Sequence, residues 1–483
     1  MNNTFLKKAY ELTPELCKRI TYLNNAEYIL KKGDSKVFDL GQYGVGFFSF
    51  EIRRHKVFLD APVKLSIKFC ETARELDDDF SRYDGDLSSS WLQEEIMTID
   101  YVGEYQFPRR YAARYVKITV VAAPQEFVLK NICFTAVTSA DDSTLKQVEI
   151  ADEMLEKIDK VCVHTLRNCM QRVFEDGPKR DRRLWLGDLR LEALANYYTF
   201  GNTDLVRRCL YLFASCDKNG YGLLPTHVYD YPEFYNGDWV CADYALLFSC
   251  ALCDLYLHTG DEKTFYELYD VAKSQIDACV NVLDDDGIIK SGEVGAFIDW
   301  CPGLVKQTCL QGVFMYVLDI FCQALSKLNH ADLEKYSLLL EKLRQSSNEQ
   351  LFDSEKGLYK AGKNHSQYSV HSAVWMILGG AAAGDKAREM LIRALNDDSV
   401  IKPFTPYMHH YVVEAMIKLS MLDEAKAYIK NYWGAMIEKE ADTFYEVFVP
   451  NDDDFSPYRD RMINSACHAW SCTPTYFIRK YFN

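Results

Sequence analysis

Carboxylates, arginines, tryptophans and one histidine concentrate in five short polar segments of this 483-residue chain. The first, "EDGPKRDRRLWLGD" at 175–188, places four acids, four bases and a tryptophan between two stretches with the pattern of buried helices. The other four are "NGDWVCAD", "GAFIDWCPG", "EADTFYEVFVPNDDDF" and "NSACHAWSCTP". Together they supply the candidate site residues, which are Asp176, Arg180, Asp181, Trp185, Asp188, Asp238, Trp239, Asp299, Trp300, Glu446 and His468.

Acids and indole rings in non-helical connectors are the groups that a sugar site needs. The partly apolar faces of a pyranose stack on indole rings, and its hydroxyls form charge-assisted hydrogen bonds with carboxylates and arginine. Cleavage of a glycosidic bond needs two carboxyl groups, one to protonate the leaving oxygen and one to activate water or attack carbon. Asp181 and Glu446 are far apart in the sequence, so only a closed fold brings them together.

Each candidate also has a purely structural interpretation. The pairs Asp238-Trp239 and Asp299-Trp300 could be helix caps beside a packed indole, and the acids at 176 and 188 could cap the helices that flank their loop. The run "NDDDF" at 451–455 lacks calcium-loop spacing and is interpreted as a solvated loop. His468 alone would be a structural histidine. The joint occurrence of these residues is what favours a site.

Two regions with different periodicity must position these segments. Up to about residue 138 the stretches "KVFDLGQYGVGFFSFEI", "VKLSIKFCE", "ARYVKITVVAA" and "FVLKNICFTAV" are rich in β-branched and aromatic residues and alternate locally. They predict an antiparallel β-sandwich over residues 1–140, which we interpret as a supporting domain because it shows no constellation of catalytic side chains.

From about residue 143 the apolar residues recur with helical spacing, beginning with "LKQVEIADEMLEKIDKVCVHTLRNCMQRVF". Capping signals then divide the chain into about eleven further helices, with short Gly-Asp and Gly-Asn-Thr turns alternating with longer loops. Twelve helices in six hairpins predict an (α/α)6 barrel over residues 141–483. The rival, an open helical solenoid, would show a fixed sequence period that is not visible here.

Bulk properties limit the partners. The formal net charge of −15 argues against nucleic acid. The N-terminus shows no signal peptide, and the chain has no run of 18 apolar residues, so no membrane span is predicted. The 16 cysteines are scattered through apolar segments, which suggests reduced thiols and a cytoplasmic protein. The single CxxC at 250–253 has no second ligand pair, so neither a metal nor a cofactor is expected, and the oligomeric state stays open.

The five segments, in this order, resemble those of glycoside hydrolase family 78, the α-L-rhamnosidases. The similar stretches are "EDGPKRDRRLWLGDLRLEA", "GDWVCADYA", "FIDW", "ADTFYEVF" and "SACHAWSCTPTYFI", so the resemblance covers residues 143–483. The stretch "RRYAARYVKITV" is also similar to the sheet domain that precedes the barrel in that family. The chain ends soon after its last predicted helix, so the family's usual C-terminal sheet domain is not expected.

The resemblance implies an inverting hydrolase on an (α/α)6 barrel. By matching position, Asp181 would be the general acid and Glu446 the general base. The side chains that would hold the sugar's hydroxyls and tune the acid are Asp176, Arg180 and Asp188. Those that would wall the sugar or contact it are Trp185, Trp239, Trp300 and His468. We add Asp238 and Asp299, which precede two of these tryptophans, to the predicted substrate-binding set.

One departure from the family concerns the acid, because position 181 holds aspartate where the family usually has glutamate. The following residues, Arg182 and Arg183, would lower the pKa of Asp181, against the needs of a general acid. Either burial raises that pKa again, or Glu175 or Asp188 is the acid, or catalysis has been lost.

Three hypotheses therefore follow. The first is an exo-acting glycosidase that removes terminal α-L-rhamnose. The second is the same barrel acting on another deoxy or acidic sugar. The third is a non-catalytic sugar-binding or interaction protein.

Overall fold

The computed structural model describes residues 2–100 and 102–483, and its N-terminal region is a β-sheet domain. Eight strands form one continuous sheet in the order β1-β8-β3-β7-β4-β5, with β2 paired to β8 and β6 paired to β3, and every pair is antiparallel. The strands are β1 (Cys17–Asn24), β2 (Tyr28–Leu30), β3 (Ser35–Arg54), β4 (Val63–Cys70), β5 (Glu94–Ile99), β6 (Gly103–Gln106), β7 (Tyr111–Ala122) and β8 (Phe127–Thr138).

The antiparallel prediction is confirmed, but the strands do not separate into the two distinct sheets that a sandwich implies. The physical reason is β3, whose 20 residues pair with β6, β7 and β8 in turn and so join the strands into one sheet. Gly46 lets β3 approach β8 closely, because a Cβ there would lie 2.1 Å from the Thr135 carbonyl oxygen. Alternate residues of β4, among them Val63, Leu65 and Ile67, fill the apolar interior.

A helix that the sequence did not predict precedes the sheet. Helix α1 (Asn3–Glu11) begins at Asn2, whose side chain accepts hydrogen bonds from two backbone amides of the first turn. Its Ala9 is fully buried and belongs to the core of the helical region rather than to that of the sheet. The first residues of the chain therefore pack with the second region, although the predicted boundary at 140 assigned them to the first.

Twelve further helices lie between residues 153 and 481 of the described chain. They are α2 (Glu153–Cys169), α3 (Leu186–Tyr198), α4 (Thr203–Ala214), α5 (Ala242–Thr259), α6 (Glu262–Val280), α7 (Gln307–Lys327), α8 (Leu333–Leu351), α9 (Val370–Leu378), α10 (Gly384–Asn396), α11 (Pro406–Lys418), α12 (Leu422–Glu438) and α13 (Pro474–Tyr481). The predicted number is confirmed for this part of the chain. Two bounds differ: the first helix begins ten residues later than expected, after the Asp152 cap, and 462–473 is a loop with two 3-10 turns.

Consecutive odd-numbered helices contact one another in chain order. The sequence of contacts runs α3-α5-α7-α9-α11, and α13 packs back against α3. Each even-numbered helix packs against at least one of its neighbours in the chain, and α12 also contacts α2. Helix α5 is buried on every side from Ala242 to Tyr256, as its all-round apolar sequence requires. Helix α7 is long and apolar enough to cross a membrane, but 78% of that stretch is buried inside the protein.

Short strands shape the loops that carry the polar segments. A three-stranded sheet in the order β11-β10-β9 joins β9 (Leu184–Trp185), β10 (His227–Tyr229) and β11 (Tyr235–Asn236), which brings the first polar segment beside the second. A two-stranded ribbon, β12 (Phe352–Asp353) with β13 (Leu358–Tyr359), lies in a separate loop. The tight turns behave as predicted: Gly260 ends α5 with φ +75° and Asp261 caps α6.

Candidate active site

The five polar segments converge on one cavity of about 370 Å³. Ten of the eleven predicted site residues line it, which are Asp176, Arg180, Asp181, Trp185, Asp188, Asp238, Trp239, Trp300, Glu446 and His468. The acids and tryptophans that were predicted from five separate stretches of sequence therefore share one site.

Asp176 organises the loop that carries the acid. Its Oδ2 accepts a hydrogen bond from the Asp181 amide at 3.3 Å and its Oδ1 accepts one from the Arg183 amide at 3.0 Å. The loop turns so sharply that a Cβ on Gly177 would lie 2.4 Å from the Arg180 carbonyl oxygen. Burial and the neighbouring Asp181 carboxylate raise the pKa of Asp176 well above its usual value. Asp176 thus fixes the position of Asp181 as well as lining the cavity.

The environment of Asp181 offsets the effect of its arginine neighbours. Burial raises the pKa of the Asp181 carboxyl, and the nearby Glu446 carboxylate adds to that effect. Arg180 and Arg183 oppose it, but their guanidinium nitrogens lie 3.6 and 3.7 Å from the Asp181 oxygens, beyond hydrogen-bond distance. The balance leaves the pKa of Asp181 above its usual value, which is the direction that a general acid requires.

Glu446 has the opposite environment. Its Oε2 accepts hydrogen bonds from Arg180 Nη2 and from the Ser465 amide, and its Oε1 accepts one from the Tyr458 hydroxyl at 2.5 Å. Burial alone would raise the pKa of Glu446, but the Arg180 cation and the Tyr458 hydrogen bond hold it below its usual value. These contacts favour the ionised form of Glu446.

Aromatic rings and two further polar groups form the rest of the wall. Trp185 stacks on His227 with ring centroids 4.3 Å apart, and Trp239 meets Trp185 edge-on at 5.9 Å. Asp188 and His468 lie at the buried end, 3.7 Å apart, and burial lowers the pKa of His468 to about 3. Asp188 Oδ1 and His468 Nδ1 have no hydrogen-bond partner among the residues that the structure describes. Such unpartnered buried polar atoms favour a polar ligand.

Asp299 is the one predicted site residue that does not line the cavity. Its Oδ1 accepts hydrogen bonds from the Thr405 amide and hydroxyl, and its Oδ2 accepts them from the Phe404 amide and from His371 Nε2 at 2.8 Å. These four bonds use both oxygens, so Asp299 anchors the loop that presents Trp300 instead of contacting a ligand. The neighbouring acid-Trp pair differs, because Asp238 and Trp239 are exposed at the rim.

Several wall residues were not predicted. They are Leu87, Ser88, Trp91, Arg183, His227, Tyr229, Tyr244, Phe297, Tyr458 and Trp470. Tyr458 lies seven residues beyond the start of "NDDDF", and its aromatic ring between polar residues was a usable signal. The loop itself is solvated and ion-paired, as expected: Asp453 pairs with Lys439 and Asp454 with Arg74.

Three residues of the wall come from the sheet domain. Leu87, Ser88 and Trp91 lie between β4 and β5, in a stretch with no acid-Trp pair to mark it. The sequence was interpreted as giving this domain a supporting role, and the structure shows that it also forms part of the cavity.

The cysteines in the described part of the chain form no disulfide bonds. All 16 cysteines are free thiols, 13 of them buried, and the CxxC pair lies inside α5. Within residues 2–100 and 102–483 no cluster of three or more His, Cys, Asp or Glu side chains has the geometry to hold a metal ion.

Two carboxyl groups in one cavity walled by indole rings are the arrangement that a glycoside hydrolase needs. The chain belongs to glycosyl hydrolase family 78. Residues 8–138 match the α-rhamnosidase N-terminal domain of that family, and residues 144–482 match the bacterial α-L-rhamnosidase six-hairpin glycosidase domain.

Solved structures agree with this assignment. A rhamnosidase from Klebsiella oxytoca, solved with rhamnose bound, is 37% identical with a TM-score of 0.94, and the match covers 99% of this chain and 98% of that one. The family 78 rhamnosidase of Bacillus sp. GL1 is 23% identical with a TM-score of 0.79, covering 94% of this chain and 47% of that one. The latter supports the fold alone. No curated protein matches the chain.

Proposed function

We propose that this protein is an inverting exo-glycosidase that releases terminal α-L-rhamnose, with Asp181 as general acid and Glu446 as general base. The observation that carries the proposal is the position of the Arg180 guanidinium. One nitrogen bonds Glu446 and the other lies 3.6 Å from Asp181, so the two carboxyl groups flank one cation inside the cavity. Their pKa values are displaced in opposite directions, as an acid and a base require.

The proposed reaction is a single displacement. Asp181 gives its proton to the glycosidic oxygen while the bond from that oxygen to the anomeric carbon breaks. Glu446 takes a proton from a water molecule as the water oxygen bonds to the opposite face of the same carbon. The products are free sugar with inverted configuration and the protonated leaving group, and solvent exchange then returns Asp181 and Glu446 to their starting states.

The cavity is consistent with the removal of one terminal sugar. Asp188, His468 and Trp470 are buried at its inner end, whereas Asp238 and Trp239 are exposed at the rim. A sugar would enter from the rim and place its hydroxyls against the buried polar groups. Rhamnose is the proposed sugar because the chain belongs to the α-rhamnosidase family and resembles the rhamnose-bound Klebsiella protein.

We also propose that the helices close into an (α/α)6 barrel. The support is the contact series of α3, α5, α7, α9 and α11, with α13 packed on α3 and each even-numbered helix packed on a neighbour in the chain. In such a barrel the loops at one end carry the five polar segments.

The test is hydrolysis of an aryl α-L-rhamnoside by the wild type and by Glu446→Gln, with the anomer of the released sugar followed by proton NMR. We expect turnover that yields the β-anomer first, and a loss of at least a hundredfold in kcat for the variant. Initial release of the α-anomer would refute inversion. Turnover of another aryl glycoside in preference to the rhamnoside would refute the sugar assignment and keep the mechanism.

A further inference from the structure

The connection between β4 and β5, residues 71–93, leaves the sheet domain and reaches the active-site cavity; we call it the 71–93 segment. It contains three 3-10 turns, the last of which (Ser89–Trp91) is capped by the Ser88 side chain. Leu87, Ser88 and Trp91 from this segment line the cavity. The sheet domain thus contributes one wall of the site.

One end of that wall is fixed beside the general acid. The Gln93 side chain donates to the Ala112 carbonyl oxygen at 2.6 Å and accepts from the Ala112 amide at 3.0 Å, which ties it to β7. Arg182, the residue after Asp181, donates to Gln93 Oε1 at 3.4 Å. The stretch that carries Trp91 therefore lies next to the loop that carries Asp181.

The other end is fixed beside the partner of the general base. The Asp86 amide donates to the Tyr458 carbonyl oxygen at 3.0 Å. Arg459 donates to the Asp84 carbonyl oxygen at 2.7 Å and pairs with its carboxylate at 3.1 Å. Residues 87–91 consequently lie between a contact to the Asp181 loop and a contact to the loop of Tyr458.

The indole of Trp91 has no established task in the protein. It is partly exposed to the cavity, and its ring nitrogen makes no hydrogen bond to any residue within 2–100 and 102–483. Trp185, in contrast, stacks on His227 deeper in the wall. A partly exposed, unstacked indole at a cavity wall is suited to stack on a bound molecule.

The reaction determines which part of the substrate passes this wall. Asp181 protonates the oxygen between the sugar and the leaving group, so the leaving group must lie beside Asp181 and outside the buried pocket that holds the sugar. The 87–91 stretch is one cavity surface attached to the Asp181 loop, through the Gln93–Arg182 contact.

We propose that residues 87–91 of the sheet domain form the subsite for the leaving group, with the Trp91 indole stacking on a flat apolar face of that group. This proposal rests on the proposed function and deepens it. The flat face is supplied by an aromatic aglycone or by the apolar face of a second sugar, which share the chemistry that an indole recognises.

The test compares kcat/KM of the wild type and Trp91→Ala on substrates that differ only in the leaving group. For 4-methylumbelliferyl and naphthyl α-L-rhamnosides we expect a loss of about tenfold, in line with the strength of aromatic stacking. For α-L-rhamnosyl fluoride, whose leaving group is one atom, and for inhibition by free rhamnose, we expect no change. A rhamnosyl-glucose disaccharide tests whether a second sugar, instead of an aromatic aglycone, can supply the flat face that stacks on Trp91.

Trp91→Phe should retain most of the activity on the aryl substrates and guards against a folding defect in the alanine variant. Phe58→Ala is the matched control, because Phe58 belongs to the same domain, is 77% exposed and lies outside the cavity. It should leave every substrate unaffected. An equal loss on the fluoride and the aryl rhamnosides would overturn the leaving-group subsite.

A failure of the proposed rhamnosidase function can be distinguished from a failure of the proposed leaving-group subsite. If the wild type hydrolyses no rhamnoside, binding of 2-naphthol alone is measured by fluorescence titration. Binding by the wild type that Trp91→Ala weakens about tenfold would support the subsite without rhamnosidase activity. Equal binding by both proteins would refute it.

Discussion

Arg180 and Glu446 form a buried ion pair whose guanidinium also faces Asp181 across 3.6 Å. The cation lies closer to the base than to the acid. It therefore lowers the pKa of Glu446 below its usual value, whereas burial prevails at Asp181 and leaves the pKa of that carboxyl raised. The same arginine therefore holds the pKa of Glu446 down without cancelling the effect of burial on the pKa of Asp181.

The first prediction concerns the pH-rate profile of Arg180→Gln. Activity requires ionised Glu446, so it appears as pH rises through the pKa of that residue. Because the variant loses the cation that lowers this pKa, the ascending limb should move to higher pH by a unit or more, about 1.4 kcal/mol per unit. The measurement is kcat/KM against pH.

Arg183→Gln is the matched control for that experiment. Arg183 lies 3.7 Å from Asp181 and has no ion pair with Glu446 in the described part of the chain. Activity requires protonated Asp181 and is lost as pH rises through its pKa, so the control should move only the descending limb, again to higher pH. Identical shifts of both limbs in both variants would contradict the separate roles.

The second prediction concerns Tyr458→Phe. The variant removes the hydroxyl that donates to Glu446 Oε1 at 2.5 Å and preserves the ring beside Arg180. A hydrogen bond to a charged group contributes about 1.5–3 kcal/mol. Its loss should raise the pKa of Glu446 and move the ascending limb to higher pH by about one to two units. Tyr445→Phe, next to Glu446 in the chain but outside this cavity, should leave the profile unchanged. An unmoved ascending limb in Tyr458→Phe would show that this bond does not set the pKa.

Much of the site and of the helical region could be predicted from the sequence. The five polar segments were predictive because their acids and tryptophans occur in connectors between helices, where loops converge at one end of a helical assembly. Trp185, Trp239 and Trp300 all reached the cavity as expected. Helix number followed from apolar spacing and caps, which are local properties of the chain.

The features that the sequence did not predict depend on tertiary contacts, which a local sequence pattern does not encode. Asp299 has the same local signature as Asp238, yet it faces inward to four hydrogen-bond donors from distant residues. Trp91 reaches the site only because ion pairs and backbone bonds dock the 71–93 segment on the helical region, for example Arg461 on Asp78. The strands form one sheet because β3 is 20 residues long, which is longer than the short stretches over which strand alternation is read from a sequence.

The third prediction concerns Asp181→Asn. If Asp181 donates the proton to the leaving oxygen, the variant should lose at least a hundredfold in kcat/KM on substrates with basic leaving groups, such as a rhamnosyl sugar. With 2,4-dinitrophenyl α-L-rhamnoside, whose leaving group needs no proton, activity should remain within about tenfold of the wild type. The descending limb of the pH profile should disappear. A uniform loss across leaving groups would refute the acid role of Asp181 and leave Asp188 as the remaining candidate, because Glu175 is bonded to Arg110 and does not line the cavity.

The fourth prediction separates an anchor from a ligand contact at Asp299. A buried hydrogen-bond donor left without its acceptor costs about 1–3 kcal/mol, so Asp299→Ala, which strands four donors, should lower the unfolding free energy by at least that amount, measured by urea denaturation. Asp299→Asn should lose less because it keeps part of the hydrogen bonding. Asp285→Ala, an exposed acid on another loop, should leave the midpoint unchanged.

The pH dependence of that stability difference has a defined sign. Burial opposes ionisation of Asp299, but His371 and the hydrogen bonds from Thr405 and Phe404 hold its pKa below the usual value. A carboxyl with a depressed folded-state pKa contributes stability above its unfolded pKa of about 3.9 and loses it as pH falls through the folded value. The gap between wild type and Asp299→Asn should therefore be full at pH 6 and shrink below about pH 4. A gap that is constant down to pH 3, or an effect on KM without any loss of stability, would show that Asp299 acts on the substrate instead of on the Trp300 loop.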